Sequence, residues 1–166
     1  MQHAARLRDF REILPSLARH EGIWDGTYRY YDADGVKTDE HHSRVVCRFP
    51  TSGAYPYHQT NYYRWSDGRQ EVRDFPATIV DGRLRWDNEL IEGWAADVRP
   101  DVFDRTAMLY WVRKDTPDTY LYEMIQISDC GQYRSRVWQW FNRGRLIART
   151  LINERKITDD WSAYAV

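Results

Sequence analysis

Tyr28 and Tyr30 stand two residues apart in Trp24-Asp25-Gly26-Thr27-Tyr28-Arg29-Tyr30. In an extended strand that spacing places both phenols on one face, about 7 Å apart, where they can donate hydrogen bonds to a carbonyl or carboxylate. The bland alternative is a pair of wall residues with their hydroxyls in water. Histidine is the usual acid–base group near neutral pH, and His41, His42 and His58 fall in the next two extended stretches. His41 and His42 are adjacent, so only one points inward. Val46 sides with His42, Val45 and Phe49 with His41, and the pattern leaves the choice open.

Two carboxylates sit among apolar neighbours. Glu92 shares a strand face with Leu90, Trp94 and Ala96, and Glu123 shares one with Leu121, Ile125 and Ile127. Each is either a sheet-surface residue or a buried acid with a raised pKa. For Glu123 the rival inward face is Tyr120, Tyr122, Met124 and Gln126. Arg134, Arg136, Trp138 and Trp140 share a further face, suited to an acidic ligand if it points inward and to Arg–Trp stacking if it points outward. The candidates for proton transfer are therefore Tyr28, Tyr30, His58, Glu92 and Glu123. The candidates for a ligand wall are Trp24, His42, Tyr62, Tyr122, Arg136 and Trp138. Metal is not expected, since no H-x-H or H-x₃-H spacing occurs. Nor is a cofactor: no G-x-G-x-x-G after a strand, P-loop or G-x-S-x-G elbow is present.

The elements that must position these residues read mostly as strands. Gly22 to Asp34-Gly35 is a β-branched and aromatic run closed by a hairpin turn signal. Strand-like stretches follow at 36–49, 57–65, 70–75, 84–86, 90–98, 107–113, 120–127, 133–141 and 146–155, with Pro76 marking the end of the fourth strand or a sheet edge. A helical pattern occurs at 3–20, where Leu7, Phe10, Ile13, Leu14 and Leu17 recur at helical spacing and Arg6, Arg8, Arg11 and Arg19 decorate other faces. Pro15 divides that segment. The reading is one all-β domain over 1–166, an up-and-down antiparallel barrel of about ten strands, with 1–20 as a helical cap over one mouth.

Composition limits the function. The 166 residues carry a formal charge of −1, with 24 Lys+Arg against 25 Asp+Glu, which speaks against a nucleic-acid partner. The 12 Tyr, 8 Trp and 5 Phe pair apolar bodies with polar tips and suit walls that touch both core and ligand. Cys47 and Cys130 form neither a metal spacing nor a disulfide framework, and without a signal peptide reduced thiols in a cytoplasm are expected. No apolar run approaches the roughly 20 residues that span a bilayer. The expected partner is a small aromatic or hydrophobic molecule rather than nucleic acid or membrane, with a homodimer left open.

Gly22-x-Trp24 opening a meander after a short helix resembles the calycin group of barrels, which includes lipocalins and fatty-acid-binding proteins. Within it the chain looks like bacterial lipocalin-like proteins that open with W-x-G-x-Y, here Trp24, Gly26 and Tyr28. The resemblance implies that Trp24 packs at the closed end beneath a basic side chain of the last strand, Arg155 or alternatively Arg149. A looser resemblance, through Tyr28 and Tyr30, is to phenolic acid decarboxylases, whose Tyr-x-Tyr holds a substrate carboxylate. It implies an interior Arg and an interior Glu. The haem-binding calycins use a late-strand histidine, and all five histidines here precede residue 60. Two functions remain: a cofactor-free lyase, isomerase or cyclase acting on an aromatic or polyketide-like substrate, or a carrier of a small hydrophobic ligand. The wealth of polar wall candidates favours the enzyme.

Overall fold

The computed structural model describes residues 9–164; Arg6, Leu7 and Arg8 of the expected helix lie outside them. Ten strands follow two one-turn helices: β1 Gly22–Asp32, β2 Lys37–Arg48, β3 Tyr57–Arg64, β4 Gln70–Val80, β5 Arg83–Asp87, β6 Ile91–Val98, β7 Thr106–Arg113, β8 Thr119–Ile127, β9 Tyr133–Asn142 and β10 Arg145–Thr158. Each strand pairs antiparallel with its chain neighbours, and β1 pairs with β10 to close the barrel. It is a calycin-like up-and-down barrel, the arrangement that alternating β-branched and aromatic strands joined by tight turns favour because closure satisfies their edges. No helix among the described residues is long and apolar enough to cross a membrane.

The helical segment is more broken than its apolar spacing predicts. α1 (Phe10–Ile13) is capped by the Asp9 carboxylate, which accepts from the Arg11 N–H. α2 (Pro15–Ala18) begins on Pro15, because proline suits a first helical position but cannot continue a helix already under way. The barrel wall itself caps α2: Asp97 of β6 accepts from the backbone N–H groups of Ser16 (2.6 Å) and Leu17 (3.1 Å). Phe10, Leu14 and Leu17 are buried against Phe49 and Tyr57, so this segment plugs one end of the barrel. Cys47 is buried and Cys130 exposed, and both are free.

β4 runs through Pro76 to Val80 rather than ending before it. Pro76 stands one pair from the end of the β3 ladder, and the β5 ladder begins only at Thr78, so a missing N–H costs little there. Residues 70–77 are therefore laddered on the β3 side alone. Trp86 crosses to them by donating its indole N–H to the Phe75 carbonyl, at 3.3 Å.

Candidate functional site

Strand parity sends one residue in two into the barrel, and here the inner face is unusually polar. It surrounds a cavity of about 200 Å³ that reaches from Leu17 of α2 toward the opposite end of the barrel. Tyr63, Trp86, Trp111, Trp138 and Trp140 form aromatic walls, and Gln59, Asn61, Tyr30 and His41 supply polar atoms among them. Glu123 and Arg136 lie at its floor, each almost completely buried.

Arg136 donates through Nε to Glu123 Oε1 (2.5 Å) and through Nη1 to the Tyr28 hydroxyl (2.8 Å). Tyr28 in turn donates to Glu154 Oε1 (3.3 Å), and the other Glu154 oxygen takes a hydrogen bond from Arg134 Nε. The chain thus holds two guanidiniums against two carboxylates. Burial alone would raise the Glu154 pKa, but Arg134 and Arg136 outweigh it and hold the carboxyl below its usual range. Burial likewise disfavours a charged Arg136, yet Glu123 and Glu154 keep it firmly protonated. Gly26 is part of this arrangement: a Cβ there would meet Asn153 O at 2.2 Å and Glu154 Cγ at 2.5 Å. Only glycine lets the Glu154 side chain lie across β1.

Further toward the cavity, His41 stacks on Tyr28 with ring centroids 4.9 Å apart. Its Nδ1 lies 3.3 Å from the His42 carbonyl, which can only accept, so Nδ1 carries the hydrogen and Nε2 accepts from the Tyr30 hydroxyl at 3.3 Å. Burial lowers the His41 pKa and raises that of Tyr30, which keeps the imidazole neutral and the phenol protonated at pH 7.

Several expected residues stand elsewhere. Tyr28 is inward but fully buried behind the cavity lining, its hydroxyl committed to Arg136 and Glu154 rather than open to a ligand. His42 faces out, within 4.0 Å of Asp25, and His41 takes the inward place, because β2 registers against β1 with His41 opposite Tyr28. His58 lies beside Asp74 (3.4 Å) and Tyr62 packs at a tilt against Tyr164, both on the outer face. Glu92 and Tyr122 are exposed on the outer wall. Trp24 packs at the plugged end as expected, but under Arg134 (4.3 Å from guanidinium to ring) and Lys156 (5.0 Å) instead of Arg155, which points to solvent. Tyr30, Glu123, Arg136 and Trp138 do meet at the cavity. Glu154 went unseen in the sequence, and its one signal was the Gly26 that makes room for it.

The network also has a pH consequence. His20 is buried beside Arg134, whose Nη1 lies 3.2 Å from His20 Nδ1; the guanidinium can only donate, so the imidazole is the acceptor. Burial, reinforced by Arg134, Arg136, Lys156 and Arg19, lowers the His20 pKa well below its usual value. Below about pH 6.5 the unfolded chain takes up a proton that the folded chain refuses, so stability falls with pH by about 1.4 kcal/mol per unit for this site. Denaturant melts at pH 7.5, 6.5 and 5.5 should show this loss, and His20→Asn should remove that share of the slope. A parent midpoint constant over the range would contradict a neutral buried His20.

No family model matches the chain, and no curated protein matches it by sequence. Among solved structures it is similar to an S-type phycobiliprotein lyase from Guillardia theta, with a TM-score of 0.67, 12% identity, and 92% of this chain and 94% of that one covered. It is also similar to the Rv2717c protein of M. tuberculosis, at TM-score 0.63 and 15% identity over 88% of this chain and 98% of that one. A third is a protein of unknown function of the DUF3598 family from Nostoc punctiforme, at TM-score 0.63 and 14% identity. The match covers 85% of this chain but 49% of that one, so this chain spans about half that protein's length. At such identities the likeness is one of fold.

Proposed function

We propose that this barrel binds a small aromatic molecule and acts on it as a cofactor-free enzyme of lyase or isomerase type. The observation that carries the reading is the Glu123 carboxylate at the floor of an aromatic cavity, one oxygen fixed by Arg136 and the other without a hydrogen bond among the described residues. A carboxylate so oriented accepts a proton or a hydrogen bond from a phenol, enol or acidic C–H of the ligand, and the neutral His41 with the protonated Tyr30 offers a second acid–base pair on the same lining. A cavity of about 200 Å³ is somewhat larger than the roughly 150 Å³ that admits benzene. The size favours a single-ring substrate, such as a hydroxycinnamic acid, over a fused polyketide. The barrel of Guillardia theta named as a lyase lends the reaction class only an analogy of fold.

A carrier is the second reading, favoured by one observation: each buried guanidinium of the network already faces a carboxylate, as a purely structural wall would arrange. The two readings separate on incubating the protein with hydroxycinnamic acids and single-ring phenols, following binding by tryptophan quenching and product by mass spectrometry. Product that drops by about 10²-fold or more in Glu123→Gln, with binding retained, supports the enzyme. Binding without product selects the carrier. No binding at all removes both.

A further inference from the structure

The mouth half of the barrel wall has a notch. β4 is laddered to β5 only through Thr78, Ile79 and Val80, and the eight residues of β4 before them pair with β3 alone. β5 continues only to Asp87 before its turn into β6. The β3–β4 hairpin therefore extends past the short β5–β6 hairpin and leaves an opening between them. Trp86, reaching to the Phe75 carbonyl, marks its inner edge.

Two cavity-lining arginines flank this opening. Arg73 projects inward from the part of β4 that is laddered to β3 alone, and Arg113 from the last position of β7, opposite Ile91. Arg73 spends its Nε on Glu71 (2.5 Å), and neither of its Nη groups donates a hydrogen bond among the described residues. Arg113 holds Asp115 through Nε (2.7 Å) and Nη2, leaving Nη1 without a partner among them. The two guanidiniums act on one neighbourhood: Asp115, held below its usual pKa first by the Arg113 hydrogen bond, also feels the Arg73 charge.

The charges of the lining do not cancel. Arg73, Arg113 and Arg136 stand against Glu71 and Glu123, three positive against two negative. Arg136 is answered by Glu123 at the floor and Arg73 by Glu71, so the excess lies with Arg113 at the notch. Its counter-charge Asp115 belongs to the β7–β8 turn, outside the lining, with a side chain 44% exposed. Asp115 occupies only one side of Arg113, and the open guanidinium edges can take a further carboxylate in a charge-assisted, forked geometry.

We infer that the notch over the β5–β6 hairpin is the entrance to the cavity, and that it selects an aromatic ligand bearing a carboxylate or similar anion. The anion sits between Arg73 and Arg113 while the ring lies on the aromatic wall. This rests on the reading of the cavity as an aromatic-binding site and adds the ligand's charge and its route. Low-dielectric walls beside a cation whose counter-charge lies on the solvent side also focus the field and speed the arrival of anions, an effect that salt should weaken.

The test compares trans-cinnamate with trans-cinnamamide, which differ in charge at nearly constant shape, by isothermal titration calorimetry. The parent is expected to bind cinnamate at least about tenfold more tightly, with the preference shrinking as salt is raised. Arg73→Gln and Arg113→Gln should each cost cinnamate about tenfold and cinnamamide less than about twofold, and lysine at either position should keep part of the preference. Equal losses for both probes, or none, would overturn the assignment of the arginines. A parent that binds cinnamamide as well as cinnamate overturns the anion selection and leaves the aromatic cavity standing. A parent that binds neither probe overturns the cavity reading with it.

Discussion

Trp24→Ala is expected to lower the unfolding free energy by about 3–5 kcal/mol, among the largest effects any single truncation should have in this barrel. Trp24 is fully buried at the plugged end. Its removal empties a large volume that a closed ring of strands cannot collapse to fill. It also takes away the surface on which the Arg134 guanidinium rests, 4.3 Å from the ring, and the indole N–H that donates to the His20 carbonyl at 2.8 Å. Trp24→Phe keeps a ring under Arg134 while losing the indole hydrogen bond, so it should be distinctly milder. Denaturant melts at neutral pH decide the matter. An alanine variant within error of the parent would mean that the plugged end contributes little to holding the barrel closed.

The second large effect concerns the floor of the cavity. Arg136→Met should cost about 3–5 kcal/mol, because it leaves Glu123 a buried carboxylate without its counter-charge and deprives the Tyr28 hydroxyl of a donor. The cost belongs mainly to the stranded charge rather than to the lost contact. Adding Glu123→Leu to Arg136→Met should therefore recover much of the stability, since replacing both members of a buried pair by apolar groups is often close to neutral. The signature is strong non-additivity between two residues in direct contact. Melts of the parent, the two single variants and the double variant complete the cycle, and a double variant as unstable as the sum of its parts would show that the pair is not a unit.

The residues differ in how far they could be read without coordinates. The strand rhythm was plain from Gly22 to Arg155, because Gly- or Asp-containing turns punctuate the β-branched and aromatic runs; the last strand runs on to Thr158, and of the two readings of Pro76 the sheet edge holds while the strand end does not. Side-chain orientation was legible for Tyr28 and Tyr30, which share the face of Trp24. It was not legible for His41 against His42 or for the outer residues His58, Tyr62, Glu92 and Tyr122. Those strands carry large polar and aromatic residues on both faces, so hydrophobic alternation cannot orient them. Register was the harder quantity. Arg155 looked like the partner of Trp24 from its place near the chain's end, but the β1–β10 pairing puts Lys156 opposite Trp24 and turns Arg155 outward. The buried ion network depends on β1, β8, β9 and β10 meeting around one interior, and no local pattern encodes such a meeting.

The one-sided stretch of β4, the longest in the wall, carries a risk that the fully paired strands escape. A fully paired barrel has no free backbone rim, and residues 70–77, like the shorter stretch 37–41 of β2, restore one, a template on which a neighbouring molecule's extended chain could assemble. The side chains there are poorly suited to such assembly: Glu71, Arg73 and Asp74 put charge of both signs along it, and Pro76 cannot contribute an N–H to an incoming strand. The residues that leave the wall open for a ligand thereby also discourage aggregation at the gap.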